Sequence, residues 1–99
     1  MNSNLNLITE TSFSLQGKKI LITGATSGIG RQVAIYCARF GAQLILSARS
    51  EERMEEVMAI LDGDSHSSIL GDLTEPETIK RIVSSIDSVD GIVLCAGIG

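Results

Sequence analysis

The sequence has little that would staple, stack or anchor it: among 99 residues there are two cysteines, one proline, one histidine, one tyrosine, two phenylalanines and no tryptophan. Cys37 and Cys95 lie inside apolar stretches without metal-ligand spacing, and His66 is the lone imidazole, so a disulfide framework and a metal centre are not expected. Reduced, buried thiols in a cytoplasmic protein are the expectation instead. No segment approaches the ~20 apolar residues that a membrane-spanning helix needs, and the polar start lacks the basic and apolar regions of a signal peptide. Basic residues are also scarce, eight Lys and Arg against twelve Asp and Glu for a net charge of -4. That balance argues against a nucleic-acid or anionic membrane surface. With 43% hydrophobic residues and no low-complexity block, the chain can bury one core as a single domain, small for the α/β class.

What the sequence does have is glycine in one informative place. The apolar run Ile20-Leu21-Ile22 enters Thr23-Gly24-Ala25-Thr26-Ser27-Gly28-Ile29-Gly30, after which apolar residues recur at helical spacing. The order is strand, glycine turn, helix. Glycine allows positive φ and close approach of a ligand, while the first N–H groups of the helix are unpaired and carry the positive end of its dipole. Such a turn suits a diphosphate, so the expected ligand is a dinucleotide. Thr26 and Ser27 add hydroxyl donors at the lip, and Ile29 is expected to plug the helix onto the sheet while its amide faces phosphate. Glycines at a strand-to-helix turn also serve plain packing, so the rest of the chain has to decide.

Residues 1–14 show no convincing period and read as a flexible arm, with Phe13 and Leu15 tucking against the edge of a domain over 15–99. A strand is expected over Lys19 to Thr23, apolar at consecutive positions as in a strand covered on both faces. The following helix should bury Val33, Ala34, Cys37 and Phe40 and end at a left-handed Gly41. Leu44 to Leu46 form a second strand. Ser50 can cap a helix with Glu51 and Glu52 in its first turn and Met54, Val57, Met58 and Leu61 inside. Asp62-Gly63-Asp64-Ser65 breaks the chain, Ser67 to Leu70 reads as an edge strand, and His66 as a solvated loop residue with no assigned role. Thr74 is placed to cap a helix with Pro76 in its first turn and Glu77 closing a capping box, burying Ile79, Ile82, Val83 and Ile86. Ile92 to Cys95 completes a β-α-β-α-β-α-β pattern. Right-handed crossovers lay that pattern into a Rossmann-like parallel sheet with helices on both faces. In strand order 3-2-1-4 the ligand crevice opens at the ends of the first and fourth strands, at Gly24 and Ala96.

These residues resemble the short-chain dehydrogenase/reductase family. Thr23 to Gly30 is similar to its cofactor signature, Leu46-Ser47-Ala48-Arg49-Ser50-Glu51-Glu52 to the end of its second strand, Gly71-Asp72-Leu73-Thr74 to its adenine contact, and Ala96-Gly97 to part of its Asn-Asn-Ala-Gly stretch. The resemblance runs from Leu15 to Gly99. It implies that Gly24, Ser27, Gly28, Ile29 and Gly30 line diphosphate and ribose, that Asp72 accepts from the adenine amino group, that Leu73 flanks the base, and that Ala96 and Gly97 approach the cofactor ribose. It also implies an oxidoreductase, with hydride exchanged between a nicotinamide cofactor and a carbonyl or secondary alcohol. Relatives of this kind act on 3-oxoacyl carriers, sugars, steroids and other alcohols, and homo-oligomers are expected.

Arg49 bears on which cofactor. An acid near this point binds the ribose 2′-OH of NAD, whereas arginine accommodates the 2′-phosphate of NADP. Ala48 stands where the family's NAD enzymes place Asp, Arg49 follows, and Ser50 is beside it, so NADP is expected over NAD. The bland alternative is an arginine paired with Glu51 or Glu52 in solvent.

Two departures stand out. Leu94 and Cys95 occupy the positions of the family's two asparagines, and the sequence ends at Gly99, ahead of the family's catalytic Ser and Tyr-x-x-x-Lys. Tyr36 does not substitute, since Phe40 stands four residues on. The resemblance thus covers the cofactor-binding half, truncated relative to the family and without catalytic residues of its own. A non-catalytic dinucleotide module or partner-dependent subunit is the alternative reading. A methyl-donor or nucleotide-sugar binder is disfavoured by the absence of an acid at Ala48. An apolar fourth strand at the sheet edge is expected to favour self-association.

Overall fold

The computed structural model describes residues 14–95. The expectations for Phe13, for most of the arm, and for Ala96 and Gly97 lie outside the described residues. In chain order the elements are β1 (Lys19–Thr23), α1 (Gly28–Arg39), β2 (Gln43–Ala48), α2 (Glu51–Ile60), β3 (Ser67–Leu70), α3 (Pro76–Ile86) and β4 (Gly91–Leu94). All strand pairs are parallel and the order is β3-β2-β1-β4. The expected Rossmann-like sheet is therefore the observed one.

Register decides which side chains share a face. Ile22 pairs with Leu46 and Val93, and Leu21 with Ile45 and Ile92. Alternate residues of a strand point to opposite faces, so the first set meets α1 and α2 through Ala34, Ala38, Met54 and Val57. The second meets α3 through Ile82. Leu21, Ile22, Leu44 and Leu46 are almost wholly removed from solvent, each contributing about 1.5–3 kcal/mol by burial. Leu15 packs on the α1 side and its amide donates to the Phe40 carbonyl at 2.8 Å.

Several boundaries and faces differ from expectation. α1 begins at Gly28, because Ser27 in an extended conformation already supplies its N-terminal carbonyl. Its buried positions are Gly30, Ala34 and Ala38. Phe40, at the C-cap, is pushed toward solvent as the chain turns at Gly41, whose φ is +101°. β2 runs on to Ser47 and Ala48 because both sustain the ladder, Ser47 opposite Thr23 and Ile69, and Ala48 opposite Leu70. β4 begins one residue early, at Gly91.

At α3 the cap is Glu75, with no side-chain cap bond, and Pro76 takes the first helical turn. Thr74 does not cap, because it lies one residue ahead of the cap position, where its hydroxyl donates to Asp72 Oδ1 at 2.8 Å. The helix buries Thr78 and Ile82 rather than the full expected stripe: it lies against β3, where Gly71 leaves room for Thr78. Ile79, Val83 and Ile86 remain exposed, as do Ile92 and Leu94 of β4.

His66 is not a solvated loop residue. Leu44 N–H donates to its Nδ1 at 3.0 Å, which leaves Nε2 protonated to donate to the Asp62 carbonyl at 2.6 Å. The imidazole thereby takes the place of a strand partner at the start of β2 and ties the α2–β3 loop to the sheet. His66→Ala is expected to destabilise the chain by about 1–3 kcal/mol, the penalty for an orphaned amide. A urea midpoint unchanged by the substitution would contradict this role.

Among the described residues no helix is long and apolar enough to cross a membrane, and no group of three or more His, Cys, Asp or Glu could hold a metal ion.

Candidate functional site

Parallel β-α connections put every strand's carboxyl end on one side of the sheet. There the turns after β1, β2 and β3 enclose a cleft of about 310 Å³. Gly24, Thr26 and Ser27 contribute from the first turn, Arg49 and Ser50 from the second, and Asp72 and Leu73 from the third. Gly28, Ile29 and Gly30 stand at the start of α1 outside this lining.

The first turn is set by backbone crowding. Gly24 has φ +64°, and a Cβ there would lie 2.7 Å from the Cys95 carbonyl oxygen. Parallel pairing of Thr23 with Leu94 brings these next residues side by side, and Cys95 N–H donates to Thr23 Oγ1 at 3.2 Å. A Cβ on Gly30 would strike the Gly24 carbonyl, so Gly30 lets α1 start directly beneath the turn. Ala25, fully buried, is the plug, its amide donating to the Ser47 carbonyl at 3.2 Å. Ile29 is 76% exposed and plugs nothing, because at the second position of α1 it lies past the end of the sheet. Ser27 makes no side-chain cap bond, and the first turn of α1 carries no acid. The leading amides of α1, which have no intrahelical acceptor, therefore meet no carboxylate competitor on their own helix.

The second turn carries the cations. Arg49 follows β2 directly, and Ser50 Oγ accepts from Arg53 N–H at 3.2 Å, the expected cap of α2. Arg53 lines the cleft too. Nothing in its spacing singles it out, because its place in the wall depends on the turn after β3 standing opposite. Cys95 is likewise a lining residue that only the sheet order locates, and Gly71 of the adenine-contact stretch lines the cleft as well.

The third turn holds an ionised acid. Asp72 Oδ1 accepts from Thr74 N–H at 2.9 Å and from the Thr74 hydroxyl. Those two bonds, and then the charge of Arg49, hold the Asp72 carboxyl below the usual carboxylate range. Its other oxygen is left to accept from a ligand. Behind it, Gly71 has φ +152°, and Arg81 Nη2 of α3 donates to the Leu70 carbonyl at 2.5 Å, fixing the turn from outside the cleft. Tyr36 is distant from all of this on α1, half-exposed under the Arg39 guanidinium. Burial pushes the Cys37 thiol up, as suits a packed residue.

The chain matches known proteins over most of its length. The family described as short chain dehydrogenase matches residues 18–99. An uncharacterized oxidoreductase of Listeria monocytogenes is 37% identical over 91 residues, which are 86% of this chain and 37% of that protein. A fatty acyl-CoA reductase of Acinetobacter baylyi is 40% identical over 90 residues, 85% of this chain and 30% of its own length. Among solved structures, L-sorbose reductase from Gluconobacter frateurii, complexed with NADPH and L-sorbose, superposes with a TM-score of 0.78 at 33% identity. That match covers 88% of this chain and 36% of the reductase. The chain thus spans about a third of the length of these proteins.

Proposed function

The chain belongs to the short-chain dehydrogenase family, and on that premise we propose that it supplies the dinucleotide site of an NADP-dependent oxidoreductase. The observation that carries the proposal is the convergence of three turns on one cleft: a glycine turn at a helix start, an arginine and a capping serine, and an ionised aspartate beside an exposed leucine. The donor set fits the cofactor. Gly24 and Gly30 remove the Cβ atoms that would obstruct the turn, and the first amides of α1 with the Ser27 hydroxyl would hold the diphosphate. Arg49 and Ser50 would take the adenosine 2′-phosphate, with no carboxylate at Ala48 to repel it. Asp72 would accept from the adenine amino group and Leu73 would cover the base. Ala96 and Gly97 would approach the cofactor ribose.

When bound, the nicotinamide supplies the hydride chemistry, and this chain's residues bind and orient it. The reaction of the whole protein is then reduction of a carbonyl or oxidation of a secondary alcohol, with 3-oxoacyl carriers among the fitting substrates. The whole protein would be cytoplasmic. Exposed Ile79, Val83 and Leu94 support assembly as a homo-oligomer.

The test is calorimetric titration of the chain with NADPH and with NADH. Tighter binding of NADPH, by roughly tenfold or more as one charge-assisted contact provides, is expected; equal affinities overturn the cofactor assignment. A second outcome concerns pH. A lowered carboxyl pKa means that whatever Asp72 contributes is complete above the usual carboxylate range and is lost only as pH falls through the lowered value. The difference in AMP affinity between wild type and Asp72→Ala should therefore stay constant from pH 7 to about 5. A difference that shrinks over that interval would contradict the arrangement with Thr74.

A further inference from the structure

Two arginines line the cleft wall at the end of β2, and the proposed function uses only Arg49. Arg53 stands in the first turn of α2, while Arg49 precedes the Ser50 cap in the turn after β2, and the two meet at the cleft wall. Glu51 and Glu52 lie between them in sequence but not in the cleft lining, where Asp72 is the sole carboxylate and is itself engaged by Thr74. Neither arginine is in an ion pair; among the described residues the ion pair is Lys80 with Glu77. Exposed ion pairs contribute little, so Glu51 and Glu52 do not hold the Arg53 side chain away from the cleft. Arg53 instead faces the cleft beside Ser50, whose oxygen is taken by the Arg53 amide so that its hydroxyl proton is free to be donated.

We propose that Arg53 is a second specificity-determining cation for the adenosine 2′-phosphate, closing on it from α2 while Arg49 closes from the end of β2. This rests on the NADP reading above. A phosphate presents three strong acceptor oxygens, more than one guanidinium fork satisfies, and an apposed second fork engages those left over. Preference for the phosphorylated cofactor is then shared between a residue on the strand end and one on the helix.

The experiment titrates the full chain with adenosine 2′,5′-bisphosphate and with AMP, which differ only in the 2′-phosphate, at one fixed ionic strength. Wild type should prefer the bisphosphate. Arg53→Gln should weaken the bisphosphate roughly tenfold, the effect of one charge-assisted contact, and leave AMP unchanged. Arg53→Lys, which keeps the charge and loses the fork, should fall between. If wild type shows no preference, the NADP reading fails and this role with it. If wild type is selective and Arg49→Gln abolishes the preference while Arg53→Gln does not, the NADP reading stands and this inference alone is overturned. Equal loss of both ligands in Arg53→Gln and Arg53→Lys would also overturn it, since Arg53 would then support α2 and not read the phosphate.

Discussion

Arg49→Asp should weaken NADP binding by roughly a hundredfold while leaving NAD within about threefold of wild type. A charge-assisted hydrogen bond is worth about 1.5–3 kcal/mol, and a carboxylate placed near the phosphate adds about 1 kcal/mol of repulsion even in high dielectric. At 1.4 kcal/mol per tenfold, the two together reach that range. NAD lacks the phosphate and meets instead an acceptor for its ribose hydroxyl. Arg49 is exposed and, among the described residues, outside any ion pair, so the fold should be indifferent to the change. The measurement is the ratio of dissociation constants for the two cofactors, with the melting temperature as a control. Equal losses for both cofactors would remove Arg49 from the phosphate site.

The largest stability effects should come from the glycine turn, and in a definite order. Gly30→Ala places a Cβ against the Gly24 carbonyl carbon at 2.8 Å and the Ala25 Cα at 3.3 Å, all backbone and unable to swing aside. Overpacking of this kind costs about 3 kcal/mol or more, the upper end for a crowded core. Gly24→Ala combines a φ of +64° with a 2.7 Å approach to the Cys95 oxygen, and should cost about 2–4 kcal/mol. Gly28→Ala meets nothing within 4 Å and bears only the strain of φ +53°, about 1–2 kcal/mol. Urea midpoints at constant slope would rank them. If Gly28→Ala were the most damaging of the three, the backbone crowding that shapes this turn would be wrong.

Much of this was legible in the residues. Ile20 to Ile22 followed by spaced glycines carried the strand, turn and helix together, and the alternation of buried strands with amphipathic helices carried the parallel sheet and its order. Gly24, Thr26 and Ser27 could be named from the glycine turn itself, whereas Arg49, Ser50, Asp72 and Leu73 were legible through the family resemblance of the stretches after the second and third strands. What escaped depends on contacts between distant segments. His66 looked solvent-bound because its partners, the Leu44 amide and the Asp62 carbonyl, are ladder and loop groups that no spacing reveals. Thr74 satisfies every sequence criterion for a cap, yet α3 begins one residue later than that cap requires, with Glu75 at the cap position and the Thr74 hydroxyl donating to Asp72. Ile29 was misplaced because helical periodicity does not say where the sheet beneath a helix ends. Arg53 shares that cause, since its role depends on the β3–α3 turn standing opposite.

The most direct test is a crystal structure of the chain with NADPH. The diphosphate is expected against the Gly24–Gly30 turn, the 2′-phosphate within hydrogen-bond distance of the Arg49 guanidinium, and the adenine between Asp72 and Leu73. An NADPH bound away from this cleft, or lying in it with the 2′-phosphate turned to solvent, would contradict this placement.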